Sequence, residues 1–552
     1  MFVVASAFAL ILLATSTRYG YHRDELYFLT AGRRLDWGYP DQPPLTPALA
    51  RLMSAIDPDS LWLLRLPAVA AATFVVICAG LIAGELGGGR GAKALTAATV
   101  ASAAMVQGAG HLFGTTVFDL AAWSLLCLLV LKLLRTSDDG ASAADPRWWL
   151  PIGLVVGVGL LNKVLLIVPV GVLALALVLT GSRKMFATRY FAGALGIAAL
   201  LVTPYLWWQA SNGWPQWALS RAIAGGSSGT SDSPIMFVLL QFGLFGPLLA
   251  PLWIYGLWRL WRSRHRAFAV AYAVLFVVFL VSGGKAYYLG GMYPVLLAAG
   301  VVGLSGWLGA YGKRWVAAGS VVALNAALSA SLFLPLLPVE AIPDSPVLAV
   351  NYDAGETIGW PRYVEQIAAA HPPGAAILTA NYGEAGAIER YGAEYGLPTP
   401  HSGHNAYWWW GPPPDSATEV LTVGNRPRPP HRTLRGRRTP RCSRQRPRHR
   451  QRRTGRTTVP LPRSTPTVVA AVATPANPRL TRRTRRRDPI GVCGYDHTVR
   501  SWSTWRTRCR KPNRHGRSVL LCHALSAVPT RRRDPIGTAV VAAAAPVHPQ
   551  LT

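Results

Sequence analysis

The sequence predicts an all-α protein that crosses a membrane about eleven times, followed by a small extracytoplasmic α/β domain and a disordered basic tail. Three features predict this fold class. Apolar runs recur along residues 1–338, strand and helix patterns follow over 339–424, and arginine dominates 425–552. The apolar runs indicate spans because a helix needs about 20 apolar residues to cross the hydrocarbon core.

Eleven apolar runs are candidate membrane spans. They are 2–17, 62–83, 94–109, 117–134, 148–161, 164–180, 190–208, 235–258, 267–282, 287–308 and 315–337. Only Asn162 and Lys163 separate the fifth run from the sixth, so these two form either a tight helical hairpin or a broken pair. Two shorter helices, at 24–34 and 45–56, are expected to lie along the membrane interface.

Loop charges predict which side of the membrane each loop faces. With the N-terminus inside, the short cytoplasmic loops hold fourteen Lys and Arg residues, whereas the short outer loops hold only Lys163, Arg221 and Lys285. Such an excess marks the cytoplasmic side. The exception is the first outer loop, 18–60, which mixes five arginines with acids and is therefore a candidate for chemistry. An odd number of spans places 339–424 outside the plasma membrane of a bacterium.

The segment 339–424 changes from membrane-like to globular patterns. Ala375 to Thr379 is a short apolar run bounded by Pro372-Pro373-Gly374, which indicates a buried strand. An amphipathic helix is predicted from Arg362 to Ala370, and a loop that leads into a helix from Asn381 to Arg390. The segment is short for an α/β domain, so the sequence leaves open whether all of its strands are present.

Residues 425–552 differ in composition from the rest of the chain. They contain 31 of the 56 Lys and Arg residues but 3 of the 25 Asp and Glu residues, which leaves 25 basic and 22 acidic residues before them. Few apolar side chains are available to offset the ordering entropy, so we expect a disordered tail. It is either a basic arm that binds anionic lipid or nucleic acid, or an out-of-frame extension. We favour the second interpretation and expect no nucleic-acid partner.

The first outer loop carries the most concentrated candidate chemistry. The acidic pair Asp24-Glu25 follows a span directly, and Asp41 lies in an aromatic, proline-rich turn. Carboxylates at the membrane edge cost free energy unless they are paired or used. A structural alternative stays open, in which Arg23, Arg33 and Arg34 pair with these acids.

Two further loops on the same side carry one candidate each. Asp119 lies just inside the fourth span, where it is either functional or part of a helix cap that begins at Thr115 or Thr116. Lys285 precedes Tyr287 and Tyr288 at the start of the tenth span, where it either binds a phosphate or extends toward the headgroups. Together, outer acids and an outer cation can converge on a lipid-borne phosphosugar.

These motifs resemble those of the GT-C superfamily, in particular protein O-mannosyltransferases and aminoarabinose transferases of the dolichyl-phosphate-mannose-protein mannosyltransferase family. The resemblance covers about residues 15–310 and continues into the outer segment. The residues that carry it are Arg23-Asp24-Glu25, Trp37-Gly38-Tyr39-Pro40-Asp41-Gln42-Pro43-Pro44-Leu45, Asp119, Lys285-Ala286-Tyr287-Tyr288, Asn381-Tyr382-Gly383-Glu384-Ala385-Gly386 and Ser402-Gly403-His404-Asn405.

The resemblance implies a GT-C fold, and a glycosyltransferase that uses a polyprenyl-phosphate sugar donor and a protein, lipid or glycan acceptor, with inversion. It implies that Asp24 is the general base and that Glu25 shapes the site or binds the acceptor. The implied substrate-binding residues are Arg23, Asp41, Gln42, Asp119, Lys285 and Tyr288. Gln42 departs from the family pattern, because several relatives carry Lys there, so Lys285 and Arg23 would have to bind the phosphate. No cofactor is predicted, and a divalent cation stays open.

Two other classes of function stay open from the sequence. A transporter or flippase of lipid-linked substrates would place ionisable residues near mid-depth in repeated, broken helices. A structural or assembly protein of the membrane would not need acids and a cation on one face. Loss of Asp24 would leave the function of such a structural protein intact, which separates it from the enzyme.

Overall fold

A computed structural model of the chain describes residues 1–135, 145–181, 183–224, 233–417 and 419–424, together with four short strands in the basic tail. These ranges contain twenty α-helices, numbered in chain order. Helices α1 to α20 are Phe2–Thr15, Arg23–Arg33, Leu45–Ile56, Leu61–Glu85, Arg90–Ala101, Ala104–His111, Thr115–Leu133, Trp149–Asn162, Ile167–Thr180, Arg189–Ser211, Pro215–Ala224, Pro234–Gly243, Ala250–Trp261, Arg266–Val281, Tyr293–Leu308, Gly312–Phe333, Val347–Val350, Trp360–Ala370, Tyr382–Tyr391 and Ala406–Trp410.

Short 3-10 turns and strands complete the described structure. The 3-10 segments are Pro146–Trp148, Val164–Leu166, Arg183–Phe186, Pro247–Leu249, Ala286–Met292, Val339–Ala341, Tyr352–Thr357 and Gly392–Tyr395. Strands β1 to β7 are Ala376–Thr379, Pro400–Ser402, Val420–Val423, Ala471–Ala473, Trp505–Cys509, Leu521–Ser526 and Ala539–Val541. The last four strands lie in the basic tail, and the rest of that tail falls outside the described residues, so its predicted disorder stays a prediction.

All eleven apolar runs contain helix, but two of them are interrupted. The run at 94–109 divides between α5 and α6, and the run at 235–258 bends by 81° between α12 and α13. Within the described residues, five helices are long and apolar enough to cross a membrane by themselves, or six if the bent pair counts as one span. The protein is therefore mostly helical with several candidate spans, and the number eleven stays a prediction.

The helices expose apolar side chains on a scale that is unusual for a surface in water. Leu200 on α10 is 75% exposed, Ile235 on α12 is 75% exposed and Val316 on α16 is 68% exposed. Large exposed apolar surfaces mark contact with a membrane or another protein. Behind them, side chains of α4, α7 and α15 form one buried core.

The first outer loop and the C-terminal segment form a second hydrophobic core together. Leu26 and Phe28 on α2 belong to the same buried cluster as Ile377 on β1, Ile388 on α19 and Leu421 on β3. Residues 339–424 thus bury their apolar side chains against the first loop and not only among themselves. The domain boundary predicted at residue 339 therefore does not coincide with a boundary between the two hydrophobic cores, because the second core contains residues from both sides of it.

A small sheet lies within this second body. Its strand order is β2-β1-β3-β4, with β1 parallel to both β2 and β3 and β4 antiparallel to β3. The predicted strand at 375–379 corresponds to β1, and the predicted helices correspond to α18 and α19. The short interfacial helices expected in the first loop correspond to α2 and α3.

Arginines of the first loop pair with acids of the C-terminal segment. Arg34 donates to Glu389 at 2.9 Å, and the Arg33 guanidinium lies 3.6 Å from the same carboxylate. Arg23 lies 3.4 Å from Glu356. The positive charge that breaks the inside-positive pattern therefore holds the first loop to the outer segment. The structural alternative, in which Arg23, Arg33 and Arg34 pair with acids of their own loop, holds for Arg23, which lies 3.6 Å from Asp24, whereas Arg33 and Arg34 pair with Glu389.

Candidate active site

Asp24 lies in the first turn of α2 with its carboxylate partly open to solvent. His22 caps the helix, since the Asp24 backbone N–H donates to its Nδ1 atom at 3.3 Å. The Asp24 side chain is 42% exposed. Its Oδ1 accepts a hydrogen bond of 2.6 Å from the Tyr382 hydroxyl and lies 3.6 Å from Arg23 Nε. A carboxylate that is held on one side and open on the other can receive a proton.

Glu25 has the opposite environment. Its side chain has no exposed surface and forms two hydrogen bonds of 2.8 Å with the Arg65 guanidinium, which is equally buried. It also accepts from the backbone N–H groups of His22 at 2.7 Å and Phe113 at 2.8 Å. A fully buried carboxylate cannot contact an acceptor, so we retain only the shaping role for Glu25.

Arg65 is a buried residue that sequence reasoning missed. It lies in the mostly apolar helix α4, and its guanidinium also donates to the carbonyl oxygens of Ser16 and Gly20. Through these bonds it ties the end of α1 to the start of α2. Its signal was available in the sequence, because a charge inside an apolar span is costly and needs a partner.

A cluster of charges surrounds the open side of Asp24. His22 Nε2 lies 3.5 Å from Asp353 Oδ1. Burial lowers the pKa of His22, but the bond to Asp353 and the charge of Asp24 outweigh it and raise the pKa above its usual value. Burial raises the pKa of Asp353, yet the bond to His22 and the charges of His22, Arg23 and Lys285 lower it overall. The charge of Lys285 therefore acts on Asp353, which lies beside His22 at the start of α2.

Asp41 lies beside this cluster, in the proline-rich turn. Its Oδ1 accepts from the Tyr27 hydroxyl at 2.7 Å and its Oδ2 from Asn405 Nδ2 at 3.2 Å. Burial raises the pKa of Asp41 to about 6, against the effect of the Tyr27 hydrogen bond and with a contribution from the charge of Asp24. Asn405 holds a positive φ of 51°, which non-glycine residues seldom adopt and which is often found at functional sites.

Gln42 follows Asp41 and is buried. Its backbone carbonyl accepts from the Tyr39 N–H at 2.9 Å, while its side-chain Nε2 has no hydrogen-bond partner among the described residues. An unpaired buried amide is costly. The side chain expected to replace a family lysine is thus available to donate to a ligand.

Asp119 pairs with a lysine that the sequence did not single out as a site residue. Lys163 Nζ lies 3.7 Å from Asp119 Oδ2. The same atom lies 5.0 Å from the ring centroid of Tyr287 and 5.0 Å from that of Tyr288. Lys285 Nζ lies 5.9 Å from the Tyr287 centroid. Two ammonium groups therefore flank one tyrosine. In the sequence, Lys163 is marked by its position between two apolar runs. In the structure, its backbone is extended and lies between α8 and the next 3-10 turn.

The capping alternative for Asp119 does not fit α7. The helix begins at Thr115 with Gly114 as its N-cap, and neither a side-chain cap nor an acid in the first turn is present. Since α7 begins at Thr115, two residues before the predicted span, Thr115 and Thr116 lie inside the helix and not at its cap. Asp119 faces Lys163 instead, and its Oδ1 has no hydrogen-bond partner within the described ranges.

The predicted residues therefore gather around two neighbouring centres. Asp24, Arg23 and Asp41 are linked through Tyr27 and Tyr382 at the first, and Asp119, Tyr288 and Lys285 are linked through Lys163 and Tyr287 at the second. Within the described residues, no group of three or more His, Cys, Asp or Glu side chains is placed to hold a metal ion.

Comparison with known proteins identifies the fold. Residues 41–208 match the family model of dolichyl-phosphate-mannose-protein mannosyltransferases. The apo structure of ArnT from Cupriavidus metallidurans is 16% identical with a TM-score of 0.56, and covers 76% of this chain and 92% of that one. The structure of the same protein bound to undecaprenyl phosphate is 15% identical with a TM-score of 0.52 at the same coverage. No curated protein matches the chain. The resemblance is confirmed: this chain has the GT-C fold, and its residues 41–208 carry the pattern of the dolichyl-phosphate-mannose-protein mannosyltransferase family.

Proposed function

We propose that this protein transfers a sugar from a polyprenyl-phosphate carrier to an acceptor hydroxyl at the outer face of a bacterial plasma membrane. The observation that carries the proposal is the placement of Asp24. Its carboxylate is partly open and held by Tyr382, and it lies beside a cluster of charges that includes Asp353, on which the charge of Lys285 acts. Glycosyl transfer requires a general base that accepts the proton of the acceptor hydroxyl and a cation that stabilises the leaving phosphate, and we assign these roles to Asp24 and Lys285.

The proposed reaction is a single displacement. The acceptor oxygen forms its bond to the anomeric carbon while its proton passes to Asp24. The bond between that carbon and the phosphate oxygen breaks at the same time, and polyprenyl phosphate leaves with the electron pair. Attack opposite to the leaving group inverts the configuration at the anomeric carbon.

The leaving phosphate is proposed to lie between Lys163 and Lys285. Negative charge that develops on the phosphate is stabilised most effectively by cations that are already in place. Both ammonium groups lie against the Tyr287 ring, and the Gln42 amide, buried and without a hydrogen-bond partner among the described residues, can add a donor. This arrangement supplies the positive charge that a lysine at position 42 would otherwise bring.

The polyprenyl carrier is supported by one relative of the same fold. ArnT from Cupriavidus metallidurans has been solved with undecaprenyl phosphate bound. The match over residues 41–208 to a family named for dolichyl-phosphate-mannose supports the same class of donor. Asp41, Gln42, Asp119 and Lys163 of the proposed donor side lie in the matched range, whereas Lys285 lies outside it.

The test is sugar transfer in membranes that contain the full chain. A panel of radiolabelled undecaprenyl-phosphate sugars, mannose and aminoarabinose among them, is offered to wild type, to Asp24→Asn and to Asp57→Asn. Asp57 is an exposed carboxylate of the same loop and serves as the matched control. We expect label in an acceptor with wild type and Asp57→Asn but not with Asp24→Asn. Equal transfer by all three would contradict the assignment of the base.

A further inference from the structure

We propose that Tyr382, from the C-terminal segment, is the positioning residue for the base Asp24. Its phenol binds Asp24 Oδ1 and leaves Oδ2 to receive the acceptor proton. This inference rests on the proposed function, and it means that the outer segment completes the active site. The first loop alone would provide a carboxylate without a fixed orientation.

The geometry at Asp24 distinguishes the two carboxylate oxygens. Oδ1 accepts the 2.6 Å hydrogen bond from Tyr382, a length typical of strong bonds to charged acceptors. Oδ2 lies 3.9 Å from His22 Nδ1, which is beyond hydrogen-bond distance. Oδ1 is therefore occupied, whereas Oδ2 accepts no hydrogen bond from the described residues and belongs to a side chain that is 42% exposed.

The Tyr382 ring is held on three sides. Its centroid lies 5.1 Å from that of Tyr27 and 5.0 Å from that of His404, and the Arg23 guanidinium carbon lies 5.8 Å from it. Burial, followed by the charge of Asp24, raises the pKa of Tyr382 well above its usual value, so the phenol remains a donor. Burial lowers the pKa of His404 to about 4, so this ring is neutral and does not compete for the carboxylate.

The backbone fixes where the phenol points. Tyr382 is the first residue of α19, whose N-cap Asn381 accepts from the N–H groups of Gly383 and Glu384 at 2.9 and 3.0 Å. The Glu384 carboxylate in turn accepts from the Asn381 N–H at 3.2 Å. A capping box of this kind holds the first turn of a helix in one conformation.

Close packing sets the distance between the two helices. A Cβ atom added to Gly383 would lie 2.7 Å from Arg23 Cβ, so only glycine permits the observed approach of α19 to α2. Arg23 is the neighbour of Asp24. The same contact therefore fixes the spacing between the Tyr382 hydroxyl and the base.

A positioning role predicts a specific kinetic effect. Loss of the phenol leaves Asp24 in place but lets its carboxylate rotate, so the proton-transfer step suffers while donor binding does not. We expect Tyr382→Phe to lower kcat about ten- to hundredfold, the range that corresponds to one hydrogen bond to a charged group, with the KM for the donor unchanged. Phenylalanine keeps the ring contacts.

The experiment has two arms on the full chain in detergent. The first is a thermal-unfolding cycle of wild type, Tyr382→Phe, Asp24→Asn and the double variant, which requires no substrate. The second measures kcat and KM with the labelled polyprenyl-phosphate sugar that wild type uses in the panel. Tyr395→Phe is the matched control, because Tyr395 follows α19 and its side chain is 44% exposed.

The expected result is a smaller effect of Tyr382→Phe on Tm in the Asp24→Asn background, together with a loss in kcat alone that Tyr395→Phe does not show. Additive Tm shifts would overturn the contact itself. Coupled Tm shifts with an unchanged kcat, or with a rise in KM alone, would overturn the positioning role. Absence of transfer by wild type from every donor would overturn the proposed function and this role with it, while the unfolding cycle still decides on the contact.

Discussion

Asp24 and Glu25 are neighbours in the chain with opposite environments. One carboxylate is 42% exposed and the other is fully buried against Arg65. In the first turn of α2, adjacent side chains point about 100° apart, because a helix has 3.6 residues per turn. Helix geometry therefore leaves Asp24 accessible to a substrate and directs Glu25 into the interior, where it stabilises the loop.

The buried pair gives a prediction for stability. Glu25→Gln leaves the Arg65 guanidinium buried without a counter-charge, and breaking such a pair costs about 3–5 kcal/mol. We expect a correspondingly large fall in the free energy of unfolding, measured by thermal unfolding in detergent. Arg33→Gln is the control, since Arg33 is 45% exposed and lies 3.6 Å from its partner. Its change should stay below about 1 kcal/mol, and similar losses for both variants would contradict the account.

Individual site residues could be predicted only where the sequence shows a local pattern. Asp24 and Lys285 stand next to span ends and Asp41 lies in a proline-rich turn, so the sequence marks all three, and in the structure Asp24 and Asp41 are linked through the contacting rings of Tyr382 and Tyr27. Lys163 is marked only by its place between two apolar runs and Tyr382 only by its place in a motif of the resemblance, and neither mark identifies the residue that it contacts. Their contacts join residues 119 with 163 and 24 with 382, and tertiary distance of this kind has no periodic signal in a single sequence.

Helix α19 is the element on which the site depends. Besides the Tyr382 contact at its start, it carries Glu389, which pairs with Arg34, and Arg390, which lies 2.7 Å from Asp59. These ion pairs fix its far end against the first loop. The helix is therefore attached along its whole length to the loop that carries the base.

Gly386 makes the contact between α19 and α2 testable. A Cβ atom there would lie 2.9 Å from Leu26 Cβ and 3.1 Å from the Leu26 carbonyl carbon, so Gly386→Val must push the helices apart. Overpacking of this kind costs about 1–3 kcal/mol. We expect a lower Tm and a loss of transfer, measured on the same preparation. Gly319→Val on α16 is the control, because no atom lies within 4 Å of its added Cβ, and an equal loss there would contradict the packing argument.

The elements themselves were largely predictable, whereas their interruptions were not. Hydropathy located helix in each of the eleven runs, and apolar patterning located α18, β1 and α19. The division of 94–109 into two helices and the 81° bend within 235–258 were not predicted. A hydrophobic average cannot show a break when the residues on both sides are equally apolar.

The molecule has two hydrophobic cores, and they join different parts of the chain. One lies among the membrane helices and the other joins the first loop to the C-terminal segment. Asp24 on α2 contacts Tyr382 of the C-terminal segment, and Lys163 stands between α8 and the 3-10 turn that precedes α9. Charge counting along the sequence marked the first loop as exceptional, but the acids that explain its arginines lie more than three hundred residues away.

Truncation tests this division. A chain that ends at residue 424 keeps every residue of the proposed site, so we expect it to transfer sugar at the wild-type rate. A chain that ends at residue 338 loses Tyr382 and half of the second core, and we expect it to lose transfer together with the thermal transition of the outer body. Transfer by the shorter chain would contradict the role of the outer segment.

The most direct test of the central claim is the initial rate of sugar transfer by Asp24→Asn relative to wild type, with expression and thermal stability matched. General-base catalysis contributes about 10²- to 10⁴-fold to a rate. The account predicts a loss of at least about a hundredfold, with the donor still raising the Tm of the variant as it does for wild type. A rate within a few-fold of the wild-type value would show that Asp24 is not the base and that the site has been assigned wrongly.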